Sequence, residues 1–142
     1  MQSNTGSLVC VGPGMTLGAH MPLRCRSHIE NADVVFTNCH PLMEQWVSTM
    51  NKDTRSLQPL YAEGKDRRDT YREMVAAIMA EVTSGKRVCG VFYGHPGVFA
   101  QVPHTAIAQA KQAGFRAHME PGISAEDCLY ADMGIDPGAY GS

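Results

Sequence analysis

The hydrophobic positions of this chain follow two alternating patterns. Short apolar runs recur, and after most of them apolar residues return at three- and four-residue steps. The first run, Leu8-Val9-Cys10-Val11, ends at Gly12-Pro13-Gly14 and predicts a buried strand entering a glycine-bordered loop. Pro22 suits the first position of a helix predicted over Leu23 to Ala32. Val34-Val35-Phe36, closed by Thr37-Asn38, predicts a second strand, and Pro41 opens a helix carrying Leu42, Met43, Trp46, Val47 and Met50.

Beyond the polar segment Asn51 to Ser56, Leu57 to Leu60 reads as a weak strand, and Ala62 to Asp66 as a hydrophilic loop. Met74, Val75, Ile78, Met79 and Val82 then mark the clearest helix, which Gly85 is placed to stop. Val88 to Phe92 is a buried strand leading to the turn cluster Tyr93-Gly94-His95-Pro96-Gly97. Pro103 opens a helix with Ile107, Ala108 and Ala110, Gly114 ends it, and Phe115 to Met119 follows as a strand. After Pro121-Gly122, the run Ser124-Ala125-Glu126-Asp127 has the capping-box pattern, and its helix should stop near Gly134.

Alternating strands and amphipathic helices predict an α/β fold: a mostly parallel five-stranded sheet with helices on both faces, because parallel strands need crossover connections. Ligands in such sheets sit beyond the carboxyl ends of the strands. The length of 142 residues and 44% hydrophobic content suffice for one core.

A formal charge of −2 excludes a general nucleic-acid binder, and the one basic cluster, Lys65 to Arg72, is broken by Asp66 and Asp69. No run reaches bilayer length, and the start is unlike a secretory signal, so no membrane partner is expected. The five cysteines are odd in number and lack C-x-x-C pairing, which fits reduced thiols and a cytoplasmic location. Cys39-His40 has no further ligand at metal spacing, so no metal is assigned, and the nine methionines fit core packing.

Gly12-Pro13-Gly14, with Gly18 beyond it, has the wrong spacing for a dinucleotide fingerprint, and the acidic residue expected after the second strand is missing. Both features argue against a nicotinamide dehydrogenase. In Tyr93 to Gly97 a tyrosine and a histidine leave a buried strand on a glycine-bearing loop; the alternative is a plain type II turn with Pro96 then Gly97. Arg67 and Tyr71 share a helix face whose line continues into the apolar stripe, and Arg67 sits where the helix dipole disfavours cations.

Val11-Gly12-Pro13-Gly14, Tyr93 to Phe99 and Pro121 to Asp127 together resemble the tetrapyrrole (corrin/porphyrin) methylase family. Within it, Tyr61, Arg67-Arg68-Asp69-Thr70-Tyr71, Tyr93-Gly94-His95-Pro96 and Ser124 to Asp136 are most similar to the borosin-type peptide backbone α-N-methyltransferases. Tetrapyrrole methylases carry an acidic D-G-D-P where this chain has Tyr93 to Pro96, so a porphyrin or corrin methylase is the second choice.

The resemblance implies an S-adenosylmethionine pocket lined by Tyr93, His95, Val98 and Ala125, with Phe99 and Ser124 adjacent and Gly12 and Gly14 at its floor; the product would be S-adenosylhomocysteine. It assigns Arg67, Tyr71 and Tyr93 to the reacting amide, with Tyr61 supporting them. An amide nitrogen is a poor nucleophile because its lone pair is delocalised into the carbonyl. A guanidinium that stabilises charge on oxygen and a tyrosine ionised to its phenolate, which accepts the proton, favour the reactive imidate, with Tyr71 the expected base.

The resemblance further implies that residues 1–142 are an amino-terminal cofactor- and substrate-binding domain without the family's second α/β domain. The expected partners are a ribosomal precursor peptide supplied in trans (a split borosin system), a second copy in a homodimer, and a chain supplying the second domain. A fragment, a split enzyme and a non-catalytic dimerising piece remain alternatives.

Overall fold

The computed structural model describes residues 5–97 and 100–140. Five strands, β1 (Ser7–Val11), β2 (Val34–Asn38), β3 (Thr54–Ser56), β4 (Arg87–Phe92) and β5 (Arg116–Met119), form one sheet in the order β3-β2-β4-β1-β5. Every neighbouring pair is parallel. Between and after them run α1 (Leu23–Asn31), α2 (Pro41–Ser48), α3 (Arg67–Thr83), α4 (Gln101–Gln112) and α5 (Ala125–Met133), so the α/β architecture expected from the alternation is the one observed.

The order of strands dictates which face each helix covers. Crossovers β1-α1-β2 and β2-α2-β3 travel in one direction across the sheet, whereas β3-α3-β4 and β4-α4-β5 travel back. Because such crossovers are right-handed, reversing the direction puts the helix on the opposite face. Cys25, Ile29, Met43 and Val47 of α1 and α2 accordingly pack with Val11, Val35, Cys89 and Val91 on one side. Met74, Val75, Ile78 and Val82 of α3 and Val102, Ala106 and Ala110 of α4 pack with Leu8, Cys10, Val34 and Val88 on the other. The adjacent strands β1 and β4 send their chains to opposite faces, which leaves a crevice at their carboxyl ends.

Most predicted elements lie within a residue or two of their expected bounds. Pro22 is the cap before α1 rather than its first residue, and α4 begins at Gln101, with Pro103 still in the first turn where a missing N–H costs nothing. The third strand is a correction. It occupies Thr54–Ser56, inside the segment read as merely polar, while Gln58–Leu60, within the predicted strand, is a 3-10 turn. An edge strand of Thr-Arg-Ser has no apolar alternation to reveal it. Its Arg55 pairs with Asp53 and Glu81 at 2.8 Å and lies 5.8 Å from the Phe36 ring centroid, and Leu57 just beyond donates its N–H to the Thr37 carbonyl.

Cys10, Cys25, Cys39 and Cys89 are buried, and all five thiols are free. Burial pushes the Cys10 and Cys39 thiols up to about 12, with the Glu44 carboxylate adding to the effect at Cys39. Such thiols pack as small apolar side chains. Among the described residues no helix is long and apolar enough to cross a membrane.

Ile78 is fully buried between α3 and the sheet. Ile78→Ala should lower unfolding free energy by about 2–5 kcal/mol, read from the urea midpoint at unchanged slope.

Candidate active site

Three loops meet at the carboxyl ends of β1, β4 and β5, and they touch backbone to backbone. A side chain at Gly12 would place its Cβ 1.8 Å from the Gly94 carbonyl oxygen, and one at Gly122 would place it 2.7 Å from the same atom. Gly14 donates its N–H to that carbonyl at 3.3 Å. Gly94 has a φ of +69°, so the left-handed residue of this loop is Gly94; Gly97 is not among the positive-φ glycines, and a type II turn at Pro96-Gly97 is not formed. The sharp turn at Gly94 separates two exits, with Tyr93 before it and His95 after it.

His95 is held by the turn itself. The Gly97 N–H donates to its Nδ1 at 2.9 Å, so that nitrogen is an acceptor and the proton of the neutral ring sits on Nε2, available to donate. Gly97 is tied again through its carbonyl, 2.8 Å from His104 Nε2. Across the crevice, α5 starts at a complete capping box: Ser124 N–H donates to Asp127 Oδ2 at 2.8 Å, and Asp127 N–H returns a bond to Ser124 Oγ at 3.3 Å. Those bonds from Ser124 hold the Asp127 carboxyl below its ordinary value.

These elements enclose a cavity of about 300 Å³. Tyr61, Tyr71, Tyr93, His95, Ser124 and Ala125 all line it, so six predicted site residues from four separate segments come together. Tyr61 follows the turn Gln58–Leu60, Tyr71 stands on α3, and Tyr93 and His95 leave β4. Gly12 and Gly14 border the loop beneath through Gly94. Val98 and Phe99 lie outside the described residues.

Arg67 is the exception. It is the first, exposed residue of α3, one turn (about 6 Å of axis) before Tyr71, and it does not line the cavity. Its basic neighbours are paired locally: Lys65 with Glu73 at 2.8 Å, Arg68 with Asp66 at 3.1 Å and Arg72 with Asp69 at 2.8 Å. Among the described residues the Arg67 side chain makes no hydrogen bond or ion pair. Asp66 caps the helix by accepting the Arg68 N–H at 2.8 Å, which offsets the unfavourable placement of cations there.

Sequence reasoning missed several lining residues, among them Met15, Asn38, Phe92 and Gln101. Asn38 was discoverable, since a polar residue ending a predicted parallel strand points at the ligand side of such a sheet. Of all the described lining residues, none is Lys, Arg, Asp or Glu. The cavity is therefore formally neutral and rich in phenol rings, whose faces attract a cation.

The sequence pattern of the tetrapyrrole (corrin/porphyrin) methylases matches residues 7–142. The chain belongs to this family. Methylase relatives include a protein named methyltransferase/ribosomally synthesized type I borosin cyclic peptide precursor from Coprinopsis marcescibilis, 47% identical, with 96% of this chain and 35% of that protein covered. The methyltransferase/omphalotin A precursor of Omphalotus olearius is also 47% identical, over 96% of this chain and 33% of its own length. The chain thus spans about a third of the length of the curated relatives it matches. Solved methylase-family structures share the fold: a uroporphyrin-III C-methyltransferase from Thermus thermophilus superposes with a TM-score of 0.66 at 19% identity, covering 93% of this chain and 54% of that one. A diphthine synthase gives 0.67 at 17% identity, with coverages of 95% and 51%.

Gly12→Ala should cost about 2–3 kcal/mol, because the new methyl meets a backbone carbonyl that cannot turn away; chemical denaturation of the variant measures it. Asp127 should titrate below the ordinary aspartate range in carboxyl-carbon NMR. Its depressed folded value means that its contribution to stability is present above the unfolded pKa, near ~3.9, and is lost as pH falls through the folded value.

Proposed function

We propose that this chain is the cofactor-holding domain of an S-adenosylmethionine-dependent N-methyltransferase whose acceptor is a backbone amide of a precursor peptide. The observation that carries the reading is the meeting of Tyr61, Tyr71 and Tyr93 on one neutral cavity beside His95, Ser124 and Ala125. A cavity lined by phenol faces and free of fixed charge suits a cationic sulfonium, and its volume of about 300 Å³ is at the lower end of ligand-site sizes. The relatives are named as methyltransferases joined to cyclic-peptide precursors, which favours a peptide over a ring-shaped acceptor.

His95 Nε2–H and the polar start of α5 at Ser124 and Ala125 would hold the cofactor, with Gly12 and Gly14 beneath; the family resemblance adds Val98 and Phe99 to this set. When bound, S-adenosylmethionine supplies a methyl group activated by its positive sulfur. The chain's own residues prepare the acceptor. Tyr71, ionised to its phenolate, takes the amide proton as the nitrogen takes the methyl group, leaving a neutral phenol and the thioether product; Tyr93, at the turn out of β4, orients the nitrogen, and Tyr61 supports both. Arg67, without a partner among the described residues and one turn from Tyr71, stabilises the charge that collects on the amide oxygen. This last role needs the guanidinium to swing inward when the peptide enters. Residues 1–142 form the amino-terminal half of the catalytic unit, and a second α/β domain completes the cleft, either within a longer chain or from a partner subunit.

With cofactor, precursor peptide and the second domain present, Tyr71→Phe should slow methyl transfer by about 10²–10⁴-fold relative to the equally completed parent while leaving S-adenosylhomocysteine affinity unchanged. Peptide mass spectrometry reads the first quantity and calorimetry the second. Methylation by Tyr71→Phe at the parental rate would remove Tyr71 as the base, and absence of calorimetric binding in the parent would remove the cofactor assignment. Arg67→Ala should lower the rate by about 10²–10³-fold with little change in cofactor binding.

A further inference from the structure

On the α1 side of the sheet, away from the tyrosine cavity, three side chains from distant parts of the chain converge. His28 stands on α1, His118 on the edge strand β5, and Glu120 directly beyond β5. Each imidazole places its Nε2 3.1 Å from the same carboxylate oxygen, Oε2 of Glu120. The two rings meet edge to face with centroids 5.5 Å apart, and one ligand atom from each residue lies within 4.8 Å of the other two. None of the three lines the cavity assigned to methyl transfer.

The chemistry of the set is that of a metal ligand triad. Glu120 is only 13% exposed, and its backbone N–H is bonded to the Cys10 carbonyl at 2.9 Å, so its position is fixed by the sheet. The Arg24 guanidinium lies 3.8 Å from the other carboxylate oxygen, Oε1, which leaves Oε2 facing the two imidazoles. An anionic oxygen flanked by two imidazole nitrogens is a common donor set for zinc. Tetrahedral zinc with bonds of about 2.0–2.1 Å spaces its ligands ~3.3 Å apart, close to the two 3.1 Å spans already present. His118, 56% exposed, has room to turn inward and leaves the ion a path from solvent.

We propose that His28, His118 and Glu120 form a three-ligand Zn²⁺ site that ties α1 to the edge strand β5, with its fourth position open to water. On binding, each neutral ring carries its proton on Nδ1 and gives the Nε2 lone pair to the ion. Sequence spacing conceals the set, because 92 residues separate His28 from Glu120. The site lies outside the methyl-transfer machinery, so it stands or falls separately from that reading.

Calorimetric titration of the full chain, stripped of metal by chelator and then freed of chelator, tests it with Zn²⁺, and Co²⁺ serves as an optical probe. One equivalent should bind with micromolar or tighter affinity, and bound Co²⁺ should show nitrogen and oxygen ligation without thiolate charge-transfer bands. His118→Gln keeps an amide donor for Glu120 but removes the ligand, and should weaken binding at least tenfold; Cys128→Ser should leave it unchanged. Failure of the parent chain to take up one equivalent, a thiolate signature in the Co²⁺ spectrum, or undiminished affinity in both His118→Gln and Glu120→Gln would each overturn the site.

Discussion

The contact between the Gly94 carbonyl and the backbones of Gly12 and Gly122 is the constraint on which the site depends. It exists because β1, β4 and β5 are parallel neighbours, so the loops leaving them emerge side by side at one edge. Each loop then must approach the next without a Cβ in the way. With the backbones locked, Tyr93 and His95 leave the sheet in set directions, and the Gly97 N–H then fixes the His95 ring. A rigid floor of this sort suits a reaction in which a nitrogen must meet a methyl group in line, since misalignment by about an ångström is costly.

Electrostatics divides the molecule into unlike regions. The cavity at the strand ends carries phenols, two amides and an imidazole, and no charged residue among those described. The start of α3, close by, is dense in Arg, Lys and Asp, but almost all of these are matched to one another across one or two turns. Exposed pairs of this kind contribute little to stability. Their effect is to leave Arg67 the basic residue of that cluster without a partner among the described residues. On the α1 side of the sheet Glu120 gathers two histidines and an arginine, and this partly buried anion is not among the residues that line the cavity.

Much of the fold was legible in the chain because its strands are buried on both faces and its helices on one. Val34 to Phe36 and Val88 to Phe92 are continuous apolar runs for that reason, and Met74 through Val82 keep helical spacing because α3 covers the sheet. The capping box at Ser124 to Asp127 and the left-handed Gly134 after α5 were also readable, since both act within a few residues. The edge strand Thr54–Ser56 was not, because it is held by parallel pairing with β2, about 19 positions earlier, and by Arg55 reaching Glu81, 26 residues on. A lone polar strand has no period to detect.

The sequence by itself determined the class of fold, the positions of its turns and, through the resemblance of its short motif segments, the tyrosines and histidine of the candidate site. Those features depend on periodicity, glycine and proline placement and local capping, all of which act over a few residues. Only the tertiary structure decided that Tyr61, Tyr71 and Tyr93 share a cavity without charged walls, that Arg67 stands at its approach rather than on its surface, and that His28, His118 and Glu120 meet at one oxygen. These are consequences of strand order, which brings distant residues together by packing and hydrogen bonding and leaves no trace in local spacing.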